Sequence, residues 1–176
     1  MSNHDQSPDR PLMTTAFHDR ESAEAAYDAV AARGYGRDDI HVLMTHDTHK
    51  RLFAGDARRL EKGNKALEGA GVGGIAGGAL GATLVGIVAA AASLTVPGLG
   101  LVIAGPISGA LAGGAVGATA GGLVGTLVGA GIPEARAKIH EQDLKDGNVV
   151  IGVRPRNDED ARSIENDWHS QSPYRR

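Results

Sequence analysis

Cysteine is absent from this 176-residue chain, which removes disulfides, thiolate nucleophiles and cysteine-ligated zinc or iron–sulfur centres together. Aromatic side chains are scarce, with two Phe, three Tyr and one Trp. Charge of either sign is nearly balanced, 18 Lys and Arg against 21 Asp and Glu, and no basic cluster is interleaved with aromatics. No nucleic-acid partner is therefore expected. Nor does the chain contain a G-x-S-x-G elbow, a phosphate loop or an H-E-x-x-H helix, so the expectation is a non-enzymatic protein without a cofactor. Met1 to Pro11 is polar and carries Asp5, Asp9 and Arg10, which reads as a disordered tail rather than a secretory signal or lipidation motif.

The largest absence is internal. From Gly69 to Pro133, 65 consecutive residues include no charge and no aromatic, only 20 Gly, 15 Ala, 21 Leu, Ile or Val, and Ser, Thr and Pro. Within it Gly69, Gly73, Gly77 and Gly81 recur every fourth residue, and Gly105, Gly109, Gly113, Gly117, Gly121, Gly125 and Gly129 do so again. Residues four apart stack on one helix face. Each run thus predicts a strip without side chains, against which a second helix backbone can pack closely. Flexible linkers are rich in Ser and polar residues, whereas here Leu, Ile and Val fill the gaps.

Ser93 to Gly100, with Pro97 and Gly98, interrupts any regular helix. The expectation is two antiparallel helices, Asn64 to Leu94 and Leu101 to Ile132, with Pro106 in or kinking the first turns of the second. Each would be about 45 Å long at 1.5 Å per residue, longer than the roughly 30 Å hydrocarbon core of a bilayer. The preceding flank carries Arg51, Arg58, Arg59, Lys62 and Lys65 against Asp56, Glu61 and Glu68, which suits a cytoplasmic side. Inner-membrane association with the remaining domain facing the cytoplasm is expected. A soluble cytoplasmic assembly of hairpins burying each other's glycine faces is the alternative, because Gly and Ala contribute little transfer energy and no Trp or Tyr belt flanks the segment.

Around this insertion the sequence alternates short strands and amphipathic helices. Leu12 to Phe17 reads as a strand; Asp19 caps a helix with Ala23, Ala26, Tyr27 and Val30 on one face; Gly34 stops it. Ile40 to Thr45 is a second strand, and Thr45 to Lys65 a polar connector leading into the hairpin. Pro133 and Glu134 start a helix with Ala135 and Ile139 expected on its core side, Gly147 ends it, and Asn148 to Arg154 is a third strand. Asn157 caps a last helix carrying Ala161, Ile164 and Trp168. The fold class expected is α+β: a small ferredoxin-like domain, βαβ…αβα, interrupted by a glycine-zipper hairpin. Its segments are a tail (1–11), the first half and connector (12–63), the hairpin (64–132), the second half (133–168) and a polar tail (169–176).

Candidate chemistry is thin. Gly69 to Gly74 matches G-x-G-x-x-G, but no strand precedes it and no acidic residue follows at the distance a ribose partner requires. His41, His46 and His49 with Asp47 suggest a metal site, yet share no regular face, and solvated histidines at a strand end are the plainer reading. Asp38, Asp39, Asp143, Asp146, Asp158, Glu159 and Asp160 sit where helix caps and dipole partners belong.

Thr15 to Ala26, Gly34-Tyr35 with Asp38-Asp39-Ile40 and Val42 to Met44, the central Val96 to Gly100, and Gly131 to Ala135 through Gly147 to Val150 together resemble bacterial general stress proteins of the heat- or low-temperature-induced type. The likeness spans Leu12 to Asp167. It implies a stress-linked, non-enzymatic role with a glycine-zipper insertion, and it supplies no catalytic, cofactor or metal residues. Where that family commonly carries Tyr after the Pro-Glu-Ala helix start, this chain has Ile139 and His140. The partners expected are the chain itself, as a homo-oligomer held by the eleven glycines named above, and membrane lipid. The alternatives are a ligand-binding regulatory module that takes an effector at a sheet edge, and a pore-forming or membrane-perturbing protein.

Overall fold

Strand β1, Met13–Phe17, leads through the Asp19 cap into helix α1, Arg20–Ala31, in a computed structural model that describes residues 10–36, 38–53, 84, 95–96, 100–105, 116–129 and 131–171. Asp19 accepts the Ser22 N–H at 2.8 Å, and this bond holds its carboxyl below the usual range. The buried stripe of α1 is Ala23, Ala26, Tyr27 and Val30, the spacing an amphipathic helix requires. Gly34, at φ 82°, turns the chain out of it.

Strand β2, Ile40–Thr45, follows. Residues 46–53 then form a helix, α2, where a polar connector is expected from the sequence. β3 is Thr95–Val96, β4 Leu101–Ala104, α3 Val116–Gly129, α4 Glu134–Lys145, β5 Val149–Val153 and α5 Asp158–Gln171. The fold is α+β, on a five-stranded sheet of order β1-β5-β2-β4-β3 in which every neighbouring pair is antiparallel. β1 and β2 run parallel to each other with β5 between them, a split β-α-β unit.

The helices lie on both sides of this sheet. One core joins Val42, Met44, Val102, Ile151 and Phe17 to α1 and to Ile164 and Trp168 of α5. The other joins Leu12, Ala16, Leu43, Ile103 and Val150 to Leu127 of α3 and to Ala137 and Leu144 of α4. With both faces covered, the inner strands read as continuous apolar runs instead of alternating: every residue of β4 and β5 is buried.

The start of the expected second long helix is corrected here. Leu101–Ala104 is a strand, paired with Val42–Thr45 on one side and with Thr95–Val96 on the other. The elements on either side of the Pro97-Gly98 positions are therefore two paired strands, not two helices. An uncharged run flanked by glycines satisfies either period, and the strand wins because a place in the sheet satisfies its backbone while both faces bury apolar side chains. Gly105 accordingly belongs to no helical strip. Its φ is 93°, and a Cβ there would lie 2.2 Å from the Ile40 carbonyl oxygen; the position needs glycine for close backbone approach.

Of the remaining glycine register, Gly117, Gly121, Gly125 and Gly129 lie in α3, which is bent at Gly122 (φ 57°, ψ −146°). The strip is thus divided between two helical pieces. Thr126 Oγ1 donates to the Gly122 carbonyl at 2.9 Å, satisfying an acceptor at the bend. Gly69, Gly73, Gly77, Gly81, Gly109 and Gly113 lie outside the described residues, as do Pro106 and most of the expected first helix. Leu84 is an exception within that helix: its side chain is buried in the α1 side of the core. The α3 C-terminus closes as a Schellman motif, with Gly131 N–H to Val128 C=O at 2.9 Å and Ile132 N–H to Leu127 C=O at 3.1 Å. Among the described residues no helix is long and apolar enough to cross a membrane.

Candidate functional site

Helix α4 brings a polar group into the second core. Its buried positions are Ala137, His140, Asp143 and Leu144, while Ala135 and Ile139, the residues expected on its core side, are exposed. The face is set instead by Ala137, His140 and Leu144, at i, i+3 and i+7. Asp143 follows His140 by three positions, and their side chains meet, Nδ1 to Oδ2, at 3.0 Å. The other ring nitrogen, Nε2, lies 2.7 Å from Thr14 Oγ1 of the edge strand β1. Arg136, one turn earlier, donates to the Thr14 carbonyl at 3.0 Å.

The partners assign the protons. A carboxylate only accepts, so Nδ1 carries the hydrogen; Nε2 is then the acceptor, and the Thr14 hydroxyl donates to it. Burial is the main cause that keeps the His140 pKa below its ordinary value, against the opposing pull of Asp143 and with a smaller push from Arg136. The imidazole is therefore neutral at pH 7. Thr14, His140 and Asp143 are 2%, 4% and 7% exposed.

Hydroxyl, imidazole and carboxylate stand in the order of a nucleophilic relay. Thr14 is a β-branched residue near the start of β1, 2% exposed, with its hydroxyl engaged by His140 of α4. What the trio does directly is clamp α4 onto β1. It also forms one wall of an open cavity of about 570 Å³ between β1, α4 and α5, whose lining includes Ala16, Ile139, Asp143, Asp146 and His169.

A second polar cluster ties α1 to α5. Arg33 reaches Asp167 at 2.5 Å and Ser163 at 2.8 Å. Arg156 lies over the Tyr35 ring, 4.2 Å from its centroid, and donates to the Arg33 and Gly34 carbonyls. Tyr35 hydrogen-bonds Asp160; burial first, then that bond, pushes its pKa up to about 12. These guanidinium groups serve the end of α1 and the side of α5, which is a structural use.

Of the histidines near β2, His41 and His49 are buried and His46 is half-buried. His41 is 5% and His49 7% exposed, and the His46, His49 and Phe53 rings stack along α2 at centroid spacings of 6.4 Å. Burial, followed by the nearby Arg154, lowers the His41 pKa to about 4. Among the described residues no three His, Asp or Glu side chains converge as a metal site. The Gly69 to Gly74 match lies outside them.

In the sequence His140 stands out only where the resembled family carries Tyr, and Asp143 only as a capping carboxylate. The i, i+3 spacing of the two was the available signal. Their meeting with Thr14 is a tertiary event with no local trace. No protein-family model, no curated protein and no solved structure matches this chain.

Proposed function

We propose that this protein is a non-enzymatic, stress-linked self-associating protein, in which glycine-lined helices of one copy pack against those of another. The observation that carries the reading is the four-residue glycine register. Its support in the fold is the outer side of α3: the helix is uncharged throughout, Val128 is 42% exposed, and a Cβ built at Gly129 meets nothing within 4 Å. An apolar, side-chain-poor face left open among the described residues invites a second copy. The complete glycine-zipper hairpin, inserted in a domain with the split unit of ferredoxin-like proteins, is part of this proposal.

The same glycine-rich segment is proposed to hold the assembly at a membrane, with the α+β domain on the cytoplasmic side, as its basic flank suggests. A soluble assembly is the second reading. It is favoured by Leu84, β4 and Leu127, which spend part of the uncharged stretch on the domain's own cores. Sedimentation of the wild type beside a Gly113→Leu, Gly117→Leu double variant tests self-association. Smaller species in the variant support it, and identical distributions refute it. Retention of the protein in carbonate-washed membranes supports insertion, whereas release supports the soluble reading.

A further inference from the structure

We infer that residues 172–176, which lie outside the described residues, add as a short strand to the free edge of β1, in the groove between α4 and α5. The partners of the backbone groups carry the argument. His46 N–H donates to the Gly100 carbonyl at 2.7 Å, continuing the register of Val42 with Ala104 and Met44 with Val102. Even-numbered residues of β2 therefore turn their backbone groups toward β4, and odd-numbered ones toward β5. Carried across β5 through the pairs His41 with Gly152 and Thr15 with Ile151, the alternation bonds Thr15 to β5 and turns Thr14 and Ala16 to the free edge. Arg136, reaching the Thr14 carbonyl from outside the ladder at 3.0 Å, agrees. Left at the edge are the Thr14 N–H and both backbone groups of Ala16, and among the described residues no further strand pairs there. Such an edge is a template for an extended segment.

The occupant follows from where α5 leads. This helix runs alongside β1 in the same direction: Asp158 at its start pairs with Arg10 ahead of β1, and Trp168 near its end meets Phe17, the last residue of β1. Trp168 and His169 themselves line the groove. A chain that continues from Gln171 and reverses thus runs antiparallel to β1 along its edge. Ser172 and Pro173 suit the reversal, which leaves Tyr174, Arg175 and Arg176 to lie along Ala16 to Thr14. At the root of the segment Gln171 Oε1 is buried without a hydrogen-bond partner among the described residues, an acceptor for an N–H of the returning chain.

The side chains are complementary too. On the α4 side the groove is lined by Asp143 and Asp146, with no Lys or Arg anywhere in its lining, and the segment brings two arginines. Ile139, 61% exposed, offers an apolar surface to the Tyr174 ring. Docked in this way, the segment covers a strand edge that would otherwise be open to other chains. The inference stands apart from self-association through helices, since none of its residues belongs to the glycine register.

The test is amide hydrogen exchange by NMR in the full chain, in a chain ending at Gln171, and in an Arg175→Glu, Arg176→Glu double variant. The Ala16 amide should exchange faster by about tenfold or more in both altered chains, while that of Thr15, bonded to β5, keeps its rate. Equal Ala16 exchange in all three overturns the inference, and so does a parallel rise at Thr15, which reports loosening of the whole sheet. If the shortened chain does not fold, the double variant decides by the same two amides. In a mixture of labelled and unlabelled full chains, isotope-filtered contacts between the Tyr174 ring and Ile139 are expected within one chain. Contacts found only between chains, or none, overturn the assignment of the segment to its own groove.

Discussion

His140 Nε2 lies 2.7 Å from Thr14 Oγ1 although 126 positions separate the two residues. This bond, together with the Arg136 contact to the Thr14 carbonyl, fastens α4 to the edge strand of the sheet. Thr14→Val keeps the shape but removes the donor, and Asp143 pins the opposite tautomer, so Nε2 is left buried and unsatisfied. A loss of about 1–3 kcal/mol in urea unfolding is expected. Thr14→Ser retains the hydroxyl and should lose less than about 1 kcal/mol.

Acid should weaken the fold through its buried histidines. The His41 pKa falls to about 4 in the folded protein from an ordinary 6.5, and that of His140 is lowered too. Between those values the unfolded chain binds more protons than the folded one, so stability rises with pH across this window and is lost as pH falls through it. A contribution of a few kcal/mol from His41 is expected at pH 7 relative to pH 4. Urea midpoints measured over that range should flatten in His41→Gln, the residual slope belonging to His140 and the carboxylates.

Two glycines of one register should respond oppositely to alanine. Gly105→Ala forces a Cβ to 2.2 Å from the Ile40 carbonyl at a φ of 93°, and is expected to cost more than about 3 kcal/mol or prevent folding. Gly129→Ala, in open space on a helix, should be neutral or gain up to about 1 kcal/mol. Thermal melts of the pair check this. Equal, mild effects would restore Gly105 to a helix face.

Trp168 joins the two ends of the domain. Its indole meets Phe17 edge-on with centroids 6.1 Å apart, and its Nε1 donates to the Ala26 carbonyl at 3.2 Å. Trp168→Ala should cost about 3–5 kcal/mol in denaturant unfolding, and Trp168→Phe less, through the lost hydrogen bond and partial void.

Much of the α+β frame was legible because its signals are local. Asp19 with the stripe Ala23, Ala26, Tyr27 and Val30 marked α1, the alternation of Ile40, Val42 and Met44 marked β2, and Asn157 does cap α5, accepting the Asp160 N–H at 2.7 Å. That β1, β2 and β5 lie together followed from their shared need for burial. β3 and β4 were hidden for a physical reason: Leu101–Ala104 is apolar on every position, so neither period stands out, while the surrounding glycines kept a helical count through Gly105. The second helical layer was hidden as well, since α4 buries His140 and Asp143 where its sequence promised Ala135 and Ile139. The candidate site depends on that reversal. Nothing within α4 reveals that Thr14 waits across the sheet edge.

The central claim, that glycine-lined helix faces join copies of this chain, is tested most directly by sedimentation velocity of wild type and Gly129→Leu, with a thermal melt of each. Because a Cβ at Gly129 meets nothing within 4 Å among the described residues, the account predicts an unchanged melt and an association constant lowered by about tenfold or more. A monomeric wild type, or a variant that assembles just as well, would contradict it.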